Sequence, residues 1–114
     1  MYAPTSPYYD WYYFSHYPDD YACWWGCTCV PTVNKSNLRY REYIFGDGGV
    51  LEKWLSTGVK GVRLDVVDEL DVPFVDNIRK KVKSEDPDAL VIGEVWEDAS
   101  NKISYSERRP YFQG

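Results

Sequence analysis

Gly61-Val62-Arg63-Leu64-Asp65-Val66 alternates apolar and charged residues, and this stretch decides the fold. Successive side chains of a strand point to opposite faces, so Val62, Leu64 and Val66 fall on one side and Arg63 and Asp65 on the other. Downstream, Pro73 follows Asp71 and suits a first helical turn. Phe74 or Val75, Ile78 and Val82 then form an apolar stripe, with Arg79, Lys80 and Lys83 outside it. The basic residues Arg79, Lys80, Lys81 and Lys83 read as the solvated face of that helix. Pro87 ends the segment, and Ala89 to Val95 reads as a buried strand carrying one acid, Glu94. Strand, crossover helix and strand within about 30 residues make a βαβ unit, so the two strands are expected to be parallel neighbours joined right-handedly. The fold class is therefore α/β.

Upstream of this unit, Val50, Leu51, Trp54 and Leu55 recur at helical spacing and stop near Gly58, a residue suited to a left-handed C-terminal position. Before them, Ser36 and Asn37 are candidate N-caps for a short helix from Leu38 to Phe45, interrupted by Gly46-Asp47-Gly48-Gly49. From Met1 to about Lys35 there is no sustained period of 2 or 3.6, and the segment reads as a long ordered loop. It is dense in aromatics: of eleven Tyr, five Trp and four Phe, more than half precede Gly26. These rings fit either a small core or a platform for pyranose faces, with packing favoured.

Asp65 and Glu94 lie near the C-terminal ends of their strands, where parallel sheets gather catalytic groups. Adjacent strands about 4.8 Å apart bring two such acids toward the roughly 5 to 5.5 Å separation that retaining glycoside hydrolysis needs. Arg63 shares a face with Asp65, and its cation favours an ionised nucleophile there. Glu94 has no such partner in its own strand; a nearby negative charge and a partly apolar setting favour its protonated form, as a general acid requires. The same residues also fit a structural Arg63–Asp65 ion pair, with Glu94 a strand-end acid facing water.

Gly61-Val62-Arg63-Leu64-Asp65-Val66-Val67-Asp68-Glu69 resembles the fourth-strand motif of the α-amylase superfamily, glycoside hydrolase family 13, and Ile92-Gly93-Glu94-Val95-Trp96 resembles its fifth-strand motif. Val30-Pro31-Thr32-Val33-Asn34 is similar to the short motif near the end of the loop domain after strand three, in the form seen in neopullulanase-like members. The likeness extends through Ser6 to Trp11, Tyr17 to Gly26 and Val91 to Tyr105. It implies a partial (β/α)8 barrel, with residues 1–36 a loop-domain segment and 37–114 the barrel helices and strands four and five. It further implies that Asp65 is the nucleophile, Glu94 the acid/base and Arg63 the residue that orients the nucleophile. Glu69 would hydrogen-bond a sugar hydroxyl and Trp96 would stack on a sugar. The substrates implied are α-glucosidic bonds of maltooligosaccharides, starch or pullulan, with calcium or a homodimer conceivable only for a longer protein. Val62 departs from the family, which often has an aromatic there, and Cys27-Thr28-Cys29 is foreign to it. The family's third catalytic Asp and its early His and Asn motif lie outside these 114 residues. A full barrel takes roughly 250 residues, so the chain reads as an internal fragment of one domain, expected to be inactive or poorly folded alone. A non-catalytic carbohydrate-binding fragment and an inactive gene remnant are the alternatives.

A formal net charge of −5 disfavours nucleic acid as a partner. The longest charge-free stretch, Tyr21 to Asn34, is broken by Pro31 and is shorter than the roughly 20 apolar residues that span a bilayer. No Lys or Arg precedes Lys35, so the basic start of a secretory signal is missing, and the expected location is cytoplasmic. Cys23, Cys27 and Cys29 make a poor disulfide framework and, with His16 apart from them, a poor zinc site; they read as free, partly buried thiols. Asp65, Asp68, Glu69 and Asp71 lack the glycine turn of a calcium loop, and no metal or other cofactor is expected. Gly46-Asp47-Gly48-Gly49 has no following Lys and Ser or Thr, which excludes a phosphate loop. Tyr111-Phe112-Gln113-Gly114 looks like a protease-tag remnant, but Arg109-Pro110 before it does not, and the ending is read as native.

Overall fold

The computed structural model describes residues 4–99 and the backbone of two short strands at 103–104 and 107–108; the ending at 109–114 and the last residues of the family likeness lie outside these. The chain forms two compact units, Met1–Arg41 and Glu42–Gly114.

In the first unit a 3-10 turn at Tyr9–Trp11 leads into β1 (Phe14–His16), which pairs antiparallel with β2 (Asp20–Tyr21). A second 3-10 turn follows at Trp24–Gly26, and isolated bridges join Tyr12 to Val33 and Cys23 to Pro31. The loop expected here is thus pinned by short pairings too brief to show a period in the sequence. Its aromatics pack on one another: Phe14 stacks on Tyr9 at 4.9 Å, and Trp11 meets Tyr8 at 4.8 Å and Tyr40 at 5.4 Å edge-on. Among the described residues of this unit none is fully buried, so ring-on-ring contact takes the place of an aliphatic core. Arg39 pairs with Asp10 at 2.6 Å, and the Tyr13 hydroxyl donates to Asn34 Oδ1 at 2.9 Å.

Helix α1 (Leu38–Phe45) is capped by Asn37, whose Oδ1 accepts from the Tyr40 amide at 3.0 Å. In the second unit α2 (Val50–Leu55) ends in a turn at Gly58, where φ is 95°. β3 (Gly61–Leu64) follows, then a 3-10 turn (Val67–Glu69), α3 (Val72–Glu85) and β4 (Leu90–Gly93). β3 and β4 pair in parallel, as the βαβ pattern requires, with Gly61 opposite Leu90 and Leu64 opposite Gly93. β5 (Ile103–Ser104) and β6 (Glu107–Arg108) form a separate antiparallel pair. Asp71 caps α3 by accepting from the Phe74 amide at 3.2 Å, and Phe74, Ile78 and Val82 are buried at successive turns. They share the core with Leu51, Leu55, Val67 and Ala89.

Two expectations are corrected. β4 is not a buried strand, since Leu90 and Ile92 are 60% and 56% exposed. In the parallel register these two lie on the same face as Arg63, and no described layer covers that face. Lys81 is not solvated either: its side chain is 12% exposed and holds Asp47 at 3.3 Å, Glu52 at 2.9 Å and Glu85 at 2.7 Å. Three residues after Ile78, it flanks the apolar stripe rather than opposing it. Among the described residues no helix is long and apolar enough to cross a membrane.

Candidate active site

The parallel register carries past the ends of the strands. Glu94 N–H donates to Leu64 O at 2.9 Å and Val67 N–H donates to Glu94 O at 2.9 Å, so Asp65 and Glu94 stand level as their strands leave the sheet. Both follow the period-2 alternation from Arg63 and Ile92 onto the uncovered face.

Arg63 joins them. Its Nη1 donates to Asp65 Oδ1 at 2.8 Å and its Nη2 reaches Glu94 Oε1 at 3.0 Å. The sequence reading gives this cation to Asp65 alone; the structure has it shared, because a guanidinium presents separate donors in one rigid fork. Glu94 is therefore not in an uncharged setting. Arg63 and Asp65 are exposed, Glu94 half-buried.

The second Glu94 oxygen accepts from the Val66 amide at 3.3 Å. That amide is aimed by an unusual backbone: Val66 has φ 44° and ψ 55°, left-handed, where a β-branched residue is strained. Val67, next to it, is 3% exposed and packs over Gly93. A Cβ built on Gly93 would lie 2.5 Å from Val67 Cγ1, so only glycine admits this contact one residue before the acid. The segments after β3 and β4 are thereby fastened to each other directly beneath the two carboxylates.

The structure brings Arg63, Asp65 and Glu94 together. Glu69, itself exposed, closes the 3-10 turn after β3, and Trp96, 65% exposed, lies two residues beyond Glu94, both at the same end of the strand pair. Among the described residues no group of three or more His, Cys, Asp or Glu is arranged to hold a metal ion, and Asp71 serves as the cap of α3. The sequence does not reveal Val66 as a donor, since nothing in valine's preferences signals a left-handed turn. Gly93 in a strand does signal close backbone approach.

No family model matches the chain. Among curated proteins it is 35% identical over 104 residues to neopullulanase 2 of Thermoactinomyces vulgaris, covering 83% of this chain and 17% of that protein. It is 32% identical to an amylopullulanase of Thermoanaerobacterium saccharolyticum, over 83% of this chain and 8% of that one. Among solved structures, the debranching enzyme of Nostoc punctiforme superposes with a TM-score of 0.75 at 32% identity, over 89% of this chain and 22% of that one. Cyclic α-maltosyl-(1→6)-maltose hydrolase of Arthrobacter globiformis shares the fold, with a TM-score of 0.77 at 24% identity. The chain spans less than a fifth of the length of these curated relatives. In sequence and fold, this chain belongs with the α-amylase family of glycosidases, glycoside hydrolase family 13, and matches one segment of its neopullulanase-like members.

Proposed function

We propose that this chain carries the nucleophile and the acid/base of a retaining α-glucoside hydrolase. What carries the reading is the single guanidinium of Arg63 in contact with both Asp65 and Glu94 at level positions where two parallel strands end. Asp65 attacks the anomeric carbon while Glu94 protonates the departing glycosidic oxygen, leaving a glycosyl ester on Asp65. Glu94, now ionised, takes a proton from water, and the hydroxyl oxygen displaces Asp65 with net retention. Arg63 keeps the Asp65 carboxylate oriented and offsets repulsion between the two acids while both are charged. Glu69 supplies a hydrogen bond to a substrate hydroxyl and Trp96 a face for a sugar ring. β3 and β4 are neighbours in a (β/α)8 barrel whose inner layer includes Leu90 and Ile92, which accounts for apolar side chains left uncovered.

Relatives named neopullulanase, amylopullulanase and cyclomaltodextrinase support α-glucans as substrates, and one named intracellular maltogenic amylase supports an intracellular setting. The test is kinetic, in the complete protein that carries this chain. Asp65→Asn and Glu94→Gln are each expected to lower kcat on maltooligosaccharides by about a thousandfold or more, with ligand affinity within about threefold. Unchanged turnover would refute the assignment and favour a carbohydrate-binding role.

A further inference from the structure

The segment after β2 builds a hydrogen-bonded turn around the Cys27-Thr28-Cys29 sequence. Cys27 N–H donates to Trp24 O, Trp24 N–H to Val30 O and Val30 N–H to Cys27 O, each at 2.9 Å, so Thr28 and Cys29 occupy the centre of a four-residue turn. The Tyr21 hydroxyl ties that turn to β2 by donating to Thr28 O at 2.8 Å. Trp25 and Gly26, with φ of 50° and 76°, reverse the chain just before it. The outcome is two exposed thiols with Cys27 Sγ and Cys29 Sγ 3.0 Å apart. In an extended strand, residues two apart are separated by roughly 6.6 Å along the chain, so the turn is what brings the sulfurs together.

We propose that Cys27 and Cys29 are a dithiol site that a hydroperoxide converts reversibly to an intramolecular disulfide. The hydrogen bond with Cys27, and then partial desolvation, push the Cys29 thiol up from its ordinary value. One sulfur of the pair, as its thiolate, attacks a peroxide oxygen, breaking the O–O bond, and forms a sulfenic acid as the leaving oxygen takes up a proton. The other sulfur then displaces the sulfenic oxygen, which departs as water with that thiol's proton; two thiols are oxidised by two electrons and hydrogen peroxide is reduced to two waters. A thiol reductant restores the pair by exchange. Cys23, half-buried in its bridge with Pro31, is a spectator. With no third ligand placed for a metal among the described residues, disulfide chemistry is the use this geometry offers.

The test takes the complete protein that carries this chain, reduced, through hydrogen peroxide, alkylation of remaining thiols and peptide mass mapping. In the peptide that holds Cys23, Cys27 and Cys29, the expected product has lost two hydrogens and carries one alkyl group on Cys23, with no cross-link to a second molecule. Cys27→Ser and Cys29→Ser each abolish it, and Cys23→Ser leaves it intact. In a glutathione redox buffer, the ratio of disulfide to dithiol is expected to be about tenfold higher in native buffer than in concentrated urea, and several-fold lower in Tyr21→Phe than in the unaltered chain. Pairing through Cys23, a cross-linked dimer as the main product, or equal ratios in buffer and urea would each overturn the proposal.

Discussion

Arg63 is the residue on which the two carboxylates depend, because it touches both and a guanidinium can do so in one plane. A lysine at this position supplies one point charge and cannot fork, so Arg63→Lys in the complete protein is expected to lower kcat by about a hundredfold while KM changes little. Steady-state kinetics on maltooligosaccharides check this; a change in KM alone would make Arg63 a binding residue instead. Gly93 matters for a different reason. Val67 occupies the space a Cβ would need, so Gly93→Ala is expected to destabilise the complete protein by about 1–3 kcal/mol in urea titration. The alternation around Arg63 and Asp65 and the lone acid of the second strand were legible in the sequence, because a period of two fixes which side chains share a face. The sharing of Arg63 with Glu94 was not, since it depends on a parallel register set by long-range pairing, and neither was Val66, whose left-handed backbone runs against its own propensity.

At the scale of elements, α3 is buried along an apolar stripe and tied beside it to α2 and the loop before it by an ion cluster. Ile78 is 3% exposed at the centre of the stripe, and Ile78→Ala is expected to cost about 2–5 kcal/mol, read from the urea midpoint. The stripe was legible from its spacing. Lys81 was not, because its partners Asp47 and Glu52 come from outside its own helix. The hydrogen bond from Lys81 holds the Glu52 carboxyl below its ordinary 4.5, and that from Lys60 holds Asp86 below 3.8. A carboxyl lowered on folding contributes stability that is present above its ordinary value and is lost as pH falls through the lowered one. Lys60 and Lys81 are raised above 10.5, chiefly by the same hydrogen bonds and that of Glu85, so their contribution persists up to that value and is lost above it. Stability is therefore expected to be flat near neutrality and to fall below about pH 4.5, and thermal melts across pH check this; a midpoint unchanged down to about pH 2.5 would contradict it.

For the whole molecule, the uncovered face of β3 and β4 is the central fact. It bears Leu90 at one end, Asp65 and Glu94 at the other, and Ile92 level with Arg63 between them, an apolar floor leading to a charged rim. The exposure of Leu90 and Ile92 is not legible in the sequence, because an apolar run announces that a strand is meant to be covered, not that the chain itself supplies the cover. The aromatic segment was hard to read for a related reason: rings that pack on rings need no period, so Phe14, Tyr9 and Trp11 carry no strand or helix signature. The most direct measurement is to treat the complete protein with a fluorinated glycosyl fluoride that forms the glycosyl ester but hydrolyses slowly, and to map the labelled peptide by mass spectrometry. One glycosyl group is expected on the peptide containing Asp65, and none in Asp65→Asn. A label on another residue, or undiminished turnover by Asp65→Asn, would contradict it.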